Sequence, residues 1–255
     1  MNTIHQAAAV GFAAKADSYV RGRPDYPPAL DIWLRDELQL TSGKTVVDLG
    51  AGTGKFTLRL IATGATAIAV EPVPEMLQKL SEKHPDITAM AGTAESIPLD
   101  DASVDAVVCA QAFHWFATKA ALTEIHRVLK PGGYLGLIWN TRDERLPWVA
   151  RLADVFKPYE GDTPRHGSGD WKKPFPFKGF GALKEQHFPN SHIGSPEDVL
   201  VNRVLSTSFI AALPPEKQEQ VAADVRAIIA SEPSLSGRTE VTLPYDTAVY
   251  SCVKE

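Results

Sequence analysis

Residues 46–56, which read VVDLGAGTGKF, constrain the fold more than any other part of the chain. The apolar residues at the start are typical of a buried strand, the glycines after them of a tight loop, and the following apolar residues of a helix. Glu71 ends the next apolar run, 23 residues after Asp48. This matches the ~20 residues of a strand-helix-strand return whose acidic residue accepts hydrogen bonds from a ribose diol. The pattern therefore predicts an adenosine-binding site.

The spacing of the glycines separates this loop from two other nucleotide-binding motifs. A dinucleotide fingerprint, Gly-x-Gly-x-x-Gly, would need its third glycine at position 55, which is Lys55. A phosphate-binding P-loop needs Gly-x4-Gly-Lys-Ser/Thr, which does not occur in the chain. Taken alone, three glycines after a strand are equally compatible with a turn that only reverses the chain and packs the helix.

The spacing of Asp48, Gly50, Gly52 and Gly54 resembles motif I of the class I S-adenosyl-L-methionine (SAM) methyltransferases. Residues 92–99, GTAESIPL, resemble the adenine-binding loop of that family, and residues 130–135, KPGGYL, its turn into the fifth strand. Residues 12–27 are similar to the N-terminal segment of small-molecule methyltransferases such as trans-aconitate methyltransferase and its bacterial and fungal relatives. The resemblance covers residues 12–140; beyond them only the order of elements matches.

This resemblance implies that SAM is bound and S-adenosyl-L-homocysteine released. Loop N–H groups would face the methionine carboxylate, Asp48 would hold the ammonium directly or through water, Glu71 would take the ribose, and Ala94 would border the adenine. Met76 either packs on the adenine or fills the core, and Arg23 either closes over SAM or ends a surface helix. The expected cofactor residues are Tyr19, Arg23, Asp48, Gly50, Ala51, Gly52, Thr53, Gly54, Glu71, Pro72, Met76, Thr93, Ala94, Glu95 and Ala110.

Residues 110–116, AQAFHWF, stand where class I methyltransferases hold the substrate. The segment lacks the Asn/Asp-Pro-Pro-aromatic motif of DNA amino-methyltransferases and the Pro-Cys motif of cytosine C5 enzymes. Trp139-Asn140 replaces the Asp-Asn pair of metal-dependent catechol enzymes, so no metal is expected. His114 is either a general base or a histidine that is satisfied by a backbone carbonyl and shapes the pocket. The expected substrate residues are Gln111, His114, Trp115, Trp139 and Asn140, with core packing as the alternative for Trp115.

Alternating strands and helices predict an α/β fold: a doubly wound, Rossmann-like sheet of about seven strands, mostly parallel with an antiparallel last strand, and helices on both faces. A single domain over 1–255 is expected, with an N-terminal lid at 1–40, a SAM-binding core at 44–140, a cap and acceptor region at 141–237 and the last strand at 238–255. The predicted strands are 45–49, 67–70, 87–91, 104–109, 134–139, 183–188 and 239–253. The predicted helices are 56–61, 74–83, 119–129, 196–205 and 214–230, and residues 158–181 are expected to form an aromatic-rich loop.

Composition limits the partners. The chain has 255 residues, of which 44% are hydrophobic, enough for one buried sheet, and a net charge of −5, so a nucleic-acid partner is not expected. Residues 157–184 hold six basic and three acidic residues, which form either a basic rim or a solvated loop. No apolar run reaches the roughly 20 residues of a membrane span, and no secretory signal is visible, so a cytoplasmic location is expected. Cys109 and Cys252 are expected to be buried thiols.

These observations favour a SAM-dependent methyltransferase that acts on an oxygen or sulfur atom of a small organic acceptor. A carboxylate or thiolate acceptor would need no catalytic base. The alternatives are a protein or RNA methyltransferase that uses the basic rim, and a non-catalytic SAM-binding protein. Either a monomer or a homodimer is compatible with the sequence.

Overall fold

The computed structural model describes residues 24–255. Seven strands form one sheet in the order β3-β2-β1-β4-β5-β7-β6. The order reverses between β1 and β4, and ligands of doubly wound sheets bind at the carboxyl ends of the strands beside such a reversal. The strands are β1 Thr45–Leu49, β2 Thr66–Glu71, β3 Thr88–Ala91, β4 Val104–Ala110, β5 Leu129–Arg142, β6 Lys184–Gly194 and β7 Val241–Val253.

The first five strands are parallel to one another, and β7 is antiparallel to β5. β1 pairs in parallel with β2 and β4, β2 with β3, and β4 with β5. At β5 and β7, Gly132 N–H donates to the Lys254 carbonyl and Lys254 N–H donates to the Gly133 carbonyl. Such reciprocal bonds are those of an antiparallel pair. The predicted fold class, including its antiparallel last strand, is confirmed.

Eight α-helices lie in the described residues: α1 Ala29–Asp36, α2 Thr57–Ala62, α3 Pro74–Lys83, α4 Lys119–Val128, α5 Pro147–Phe156, α6 Arg203–Leu205, α7 Ser208–Ala211 and α8 Pro215–Ser231. A π-helix, Glu197–Asn202, runs directly into α6. The helix predicted at 196–205 is therefore a π-helix followed by a short α-turn. Within residues 158–181 the structure has short 3₁₀ turns, such as His166–Ser168 and Asp170–Lys172, and no α-helix.

Strand β5 is longer than the predicted 134–139. Its first residues include the predicted turn, because Gly132 and Gly133 pair with Lys254. Gly132 has φ +75°, and the register with β4 shifts between Val104 and Ala106, so the chain bends inside the strand as at a β-bulge. The resemblance to the family's turn at 130–135 thus falls on the bulged start of a strand.

The chain divides into two compact units. Residues 27–139, 164–188 and 247–255 form what we call the sheet unit, and residues 140–163 and 189–246 form the helical unit, together with the described residues 24–26. Each unit has its own apolar core: side chains such as Val47, Val107 and Leu137 pack in the sheet unit, and Leu152 and Val225 pack in the helical unit. A single domain over 1–255 stays a prediction. Across residues 24–255, every helix is either too short or too polar to cross a membrane.

Candidate functional site

The glycine loop joins β1 to α2 in the sheet unit. The N–H groups of Gly50 and Ala51 donate to the Val70 carbonyl, at 2.8 and 3.2 Å, which holds the loop against the end of β2. Gly50, Gly52 and Gly54 have φ values of +76°, +60° and +82°, a region that favours glycine. A Cβ at Gly50 would lie 2.8 Å from the Cβ of Ala112, so the loop approaches the segment after β4 too closely for a side chain.

Glu71 fastens this loop. The side chain is buried, and its two carboxylate oxygens accept hydrogen bonds from the N–H groups of Gly52 (2.8 Å) and Val73 (2.9 Å). Burial raises the pKa of Glu71 against the opposing effect of these two backbone donors. Each carboxylate oxygen has a second lone pair, which can accept from a ribose hydroxyl. The sequence indicated the ribose role but not the bond to the glycine loop.

Asp48 is in β1, two residues before Gly50, and its side chain is fully buried. Its Oδ2 accepts a 2.6 Å hydrogen bond from the hydroxyl of Thr57, the first residue of α2. Burial raises the pKa of Asp48 to about 7, opposed by the Thr57 hydrogen bond and increased by the charge of Glu71. The carboxyl group therefore anchors the start of α2, and its contact with an ammonium group stays a prediction. Two further expected residues, Ala51 and Thr53, are buried in the loop.

The segment resembling an adenine loop is a tight turn. Thr93 and Ser96 exchange two backbone hydrogen bonds of 3.2 Å, which places Ala94 and Glu95 at the tip of the turn. Ala94 is buried and Glu95 half-buried. Met76 is buried on α3, and its sulfur would lie 3.6 Å from a Cβ built on Gly52. The expected residue Pro72 is half-buried after β2.

Two residues of α4 hold this turn in place, and sequence reasoning missed both. A carboxylate oxygen of Glu124 accepts from the Ile97 N–H at 2.8 Å. The Arg127 guanidinium donates to the carbonyls of Ile97 and Leu99 and pairs with Glu124 at 2.7 Å. The only signal in the sequence was a Glu and an Arg three positions apart on a helix, which is also typical of a solvated surface.

The segment after β4 begins with a backbone in an unusual conformation. Ala110 ends β4, and Gln111 has φ +58°, with its N–H bonded to the Ile138 carbonyl of β5 at 2.8 Å. A non-glycine residue in this region is uncommon and often marks a functional site. A 3₁₀ turn, Phe113–Trp115, follows and carries His114.

His114 receives a hydrogen bond from Trp139: the indole Nε1–H donates to His114 Nδ1 at 3.0 Å. Because an indole nitrogen can only donate, Nδ1 is the accepting nitrogen, and the neutral ring carries its proton on Nε2. This partner is a side chain, where the sequence analysis considered a backbone carbonyl. Trp115, half-buried, lies with its ring centroid 5.1 Å from that of His114.

Trp139 is itself enclosed by aromatic rings of the sheet unit. Its ring centroid lies 4.6 Å from Trp171, 4.7 Å from His166 and 5.8 Å from Tyr250. The Tyr250 hydroxyl donates to Glu185 at 2.8 Å. Trp171 and His166 come from the aromatic-rich loop predicted at 158–181, whose aromatic content was the signal for such packing. This packing fixes the indole that orients His114.

Asn140, another expected substrate residue, contacts backbone and side chains of the helical unit. Asn140, in the helical unit, donates from Nδ2 to the Asp25 carbonyl at 3.2 Å, and Asn190 donates to the same carbonyl at 2.8 Å. Asn190 also donates to the Asn140 side-chain oxygen at 3.2 Å, so Asn140 links separate segments of the chain, and its contact with a substrate stays a prediction. Tyr19 and Arg23 lie outside the described residues.

Comparisons with known proteins agree with this geometry. A family model described as a methyltransferase domain matches residues 47–137. The chain is 42% identical to an uncharacterized methyltransferase-like protein of Schizosaccharomyces pombe, over 96% of this chain and 95% of the relative. It is 40% identical to an uncharacterized methyltransferase of Mycobacterium tuberculosis, over 100% of this chain and 98% of the relative. A solved structure from Anaeromyxobacter dehalogenans, described as a type II methyltransferase, has a TM-score of 0.64 at 23% identity, covering 91% of this chain and 97% of that one.

Proposed function

Because the chain belongs to the methyltransferase family of these relatives and is a methyltransferase, we propose that it transfers the methyl group of SAM to an oxygen or sulfur atom of a small organic acceptor. S-adenosyl-L-homocysteine would be the second product. The more specific resemblance to trans-aconitate methyltransferase stays a prediction.

The observation that carries the choice of SAM is the contact between Glu71 and the glycine loop. The carboxylate lies at the carboxyl end of β2 with lone pairs for a ribose diol, and through the Gly52 N–H it fixes the loop that follows β1. A dinucleotide would need room for a pyrophosphate at the helix start, where Lys55 replaces the third glycine of that fingerprint. The loop therefore fits an adenosine that carries no phosphate.

The role proposed for His114 is to bind and orient the acceptor. As long as Nδ1 accepts from Trp139, the neutral ring has a proton on Nε2 and can only donate there. Taking up a proton at Nδ1 would break the Trp139 bond, which makes His114 a poor general base. SAM supplies an electrophilic methyl group, and holding a nucleophile in line with it can contribute on the order of 7 to 11 kcal/mol without a base.

The basic segment gives the macromolecule alternative less support than its composition suggested. Lys172 pairs with Glu185 at 3.2 Å, Lys173 with Asp170 at 2.6 Å, and Lys184 with Glu37 at 2.8 Å. Lysines whose charge is balanced by neighbouring carboxylates attract phosphates weakly. We therefore place a small molecule ahead of protein or RNA as acceptor.

A labelling experiment tests the proposal. The protein is incubated with methyl-labelled SAM and a metabolite extract, and products are identified by mass spectrometry. We expect label in one or a few small molecules, and about ten- to a hundredfold less when Glu71→Gln replaces the parent at a SAM concentration below the parent's saturation. Label found only in protein or RNA would contradict the proposed acceptor class. Binding of S-adenosyl-L-homocysteine without any labelled product would support the non-catalytic alternative.

A further inference from the structure

The helical unit contains an arginine whose guanidinium has two buried nitrogens and no ion pair with any described carboxylate. Arg142 is the last residue of β5, and its Nε and Nη1 are buried without a hydrogen-bond partner in the described part of the chain. The guanidinium carbon lies 4.3 Å from the centre of the Phe156 ring, so one face of the group rests on an aromatic floor. Buried arginines are normally paired with an anion. Arg142 is therefore an exception to the pairing of buried arginines with anions, among the residues that the structure describes.

A second arginine of the same unit faces neutral partners only. Arg203 follows the π-helix Glu197–Asn202 directly, donating from Nε to the Tyr245 hydroxyl at 3.0 Å and from Nη1 to the Thr207 hydroxyl at 3.5 Å. Among residues 24–255, no carboxylate lies within ion-pair distance of Arg142 or Arg203. π-Helices are rare and often occur at functional sites. Here the π-helix ends at Asn202, and Arg203 is the next residue.

The positive charges of Arg142 and Arg203 determine the electrostatics of this region of the helical unit. Burial, followed by the positive charge of Arg203, lowers the pKa of Arg142 to about 10, against the smaller opposing effects of Tyr245, Glu144 and Glu160. Arg142 is thus still protonated at neutral pH. The two guanidinium groups repel each other, and the nearby acidic residues do not form a hydrogen bond with Arg142. A bound anion would reduce the repulsion between the two guanidinium groups and would accept hydrogen bonds from Arg142.

We propose that Arg142 and Arg203 form a binding site for a small organic anion that carries a carboxylate. A guanidinium binds a planar carboxylate through two parallel hydrogen bonds, which Nη2 donates together with either Nε or Nη1, and both Nε and Nη1 of Arg142 are unpaired within the described residues. A flat ion in the guanidinium plane is compatible with the Phe156 ring that covers one face. The inference goes beyond the proposed function, because anion binding requires neither SAM nor methyl transfer.

Calorimetry with sodium malonate tests this site, with sodium chloride of equal ionic strength as background. The variants are Arg142→Met and Arg203→Met, and the matched control is Arg145→Met, whose side chain is 86% exposed and pairs with Asp143. We expect saturable malonate binding to the parent and to Arg145→Met, and at least tenfold weaker binding to Arg142→Met and Arg203→Met. Should Arg142→Met not fold, Arg142→Lys, which keeps the charge but loses the planar pair of parallel donors, is expected to weaken binding as well.

Three results would overturn the proposal. The first is no saturable malonate binding by the parent above the chloride background. The second is unchanged binding by both Arg142→Met and Arg203→Met. The third is inorganic phosphate binding more tightly than malonate, which would contradict the carboxylate class. Each readout is independent of methyl transfer, so failure of the proposed function would leave this test intact.

The carboxylate has two conceivable sources, the methyl acceptor itself or a separate small acid. If the acceptor supplies it, malonate competes with the acceptor in the labelling experiment and Arg142→Met raises the acceptor's KM. If a separate acid supplies it, malonate changes kcat without competing. Both outcomes require the site, and they differ in the kinetic constant that changes.

Discussion

The buried charged groups of the sheet unit and those of the helical unit are satisfied in opposite ways. Both oxygens of Glu71 accept backbone hydrogen bonds, and Asp48 accepts from Thr57, so these carboxylates are in place before any ligand arrives. Arg142 has buried donors for which residues 24–255 supply no acceptor. A site whose groups already hold one another is preorganised, whereas a site with an uncompensated charge requires the ligand to complete it. The comparison indicates two different kinds of binding in one chain.

Burial favours the neutral form of both Asp48 and Arg142, but only Asp48 has a pKa near physiological pH. The pKa of Asp48 rises to about 7, whereas that of Arg142 falls only to about 10. Near pH 7, Asp48 of the sheet unit can therefore become neutral, whereas Arg142 of the helical unit stays charged. The following predictions, from the largest expected effect to the smallest, would break or sharpen this contrast.

The largest effect concerns the pH dependence of Asp48. Its pKa is raised from the ordinary value of 3.8 to about 7, so the folded state binds more protons than the unfolded state between these values. The contribution of Asp48 to the free energy of unfolding should then fall as pH rises from about 4 to about 7 and stay constant above. At ~1.4 kcal/mol per pH unit, the change is roughly 4–4.5 kcal/mol. Denaturant titrations of the parent and Asp48→Asn measure it: a difference independent of pH would contradict the account.

The second prediction concerns close packing of the glycine loop. Gly50→Ala should lower the free energy of unfolding by about 2–3 kcal/mol and abolish measurable binding of S-adenosyl-L-homocysteine, since the new Cβ meets Ala112 at 2.8 Å. Gly43→Ala is a matched control, because Gly43 has φ +86° with nothing within 4 Å, so it carries the backbone strain alone. Equal losses in the two variants, measured by thermal unfolding, would show that the loop is not tightly packed.

The third prediction concerns Glu71, which we expect to act on binding and on stability together. Glu71→Gln removes the charge and one acceptor, and should weaken binding of S-adenosyl-L-homocysteine by roughly 1.5–3 kcal/mol, about ten- to a hundredfold. The free energy of unfolding should fall by about 1–2 kcal/mol, because the Gly52 or Val73 N–H loses its partner. Calorimetry and denaturation test both, with exposed Glu75→Gln as the control. Normal binding with normal stability would refute the role of Glu71.

The fourth prediction concerns Arg142 of the helical unit, where a substitution should raise the free energy of unfolding instead of lowering it. Replacing a buried charge that lacks a partner should stabilise, so Arg142→Met should raise the free energy of unfolding by ~1 kcal/mol in the absence of organic anions. Arg145→Met should change it by less than about 0.5 kcal/mol, as expected for an exposed arginine. A loss of stability in Arg142→Met would mean that this guanidinium is already compensated in the unliganded protein, and would weaken the contrast between the units.

The smallest effect is expected at His114. If His114 orients the acceptor, His114→Gln and Trp139→Phe should each raise the acceptor's KM several-fold and leave the shape of the pH profile unchanged, because the lost contact serves ground and transition states alike. Single-turnover kinetics measure this. A hundredfold slower rate at every pH above 7, with an unchanged KM, would instead identify His114 as the base.

Local patterns were enough to predict the parallel half of the sheet. The bounds of β1 and α3 match the predictions residue for residue, since buried β-branched residues and a proline at the first helical position are local signals. The start of β5 was not predictable in this way, because it depends on pairing with Lys254, far along the chain. Helix α5 was missed, although Pro147 at its first turn and the spacing of Trp148, Leu152 and Phe156 indicate it.

The same distinction applies to the candidate site. The glycines and Glu71 are readable because their roles depend on backbone conformation and spacing within one strand-helix-strand unit. The Trp139–His114 hydrogen bond and the hold of Glu124 on the Ile97 N–H each join residues on different elements, so no spacing rule indicates them. Arg142 is similar: a lone arginine at the end of a strand is ordinary in a sequence, and only the structure shows that two of its donors are buried with no acceptor in the described part of the chain.

Calorimetric titration of the parent protein with S-adenosyl-L-homocysteine, and separately with NAD, tests the central claim that the glycine loop and Glu71 bind SAM. We predict saturable, one-to-one binding of S-adenosyl-L-homocysteine and no detectable binding of NAD, because the loop suits an adenosine without a pyrophosphate. Tight binding of NAD together with no response to S-adenosyl-L-homocysteine would contradict that claim.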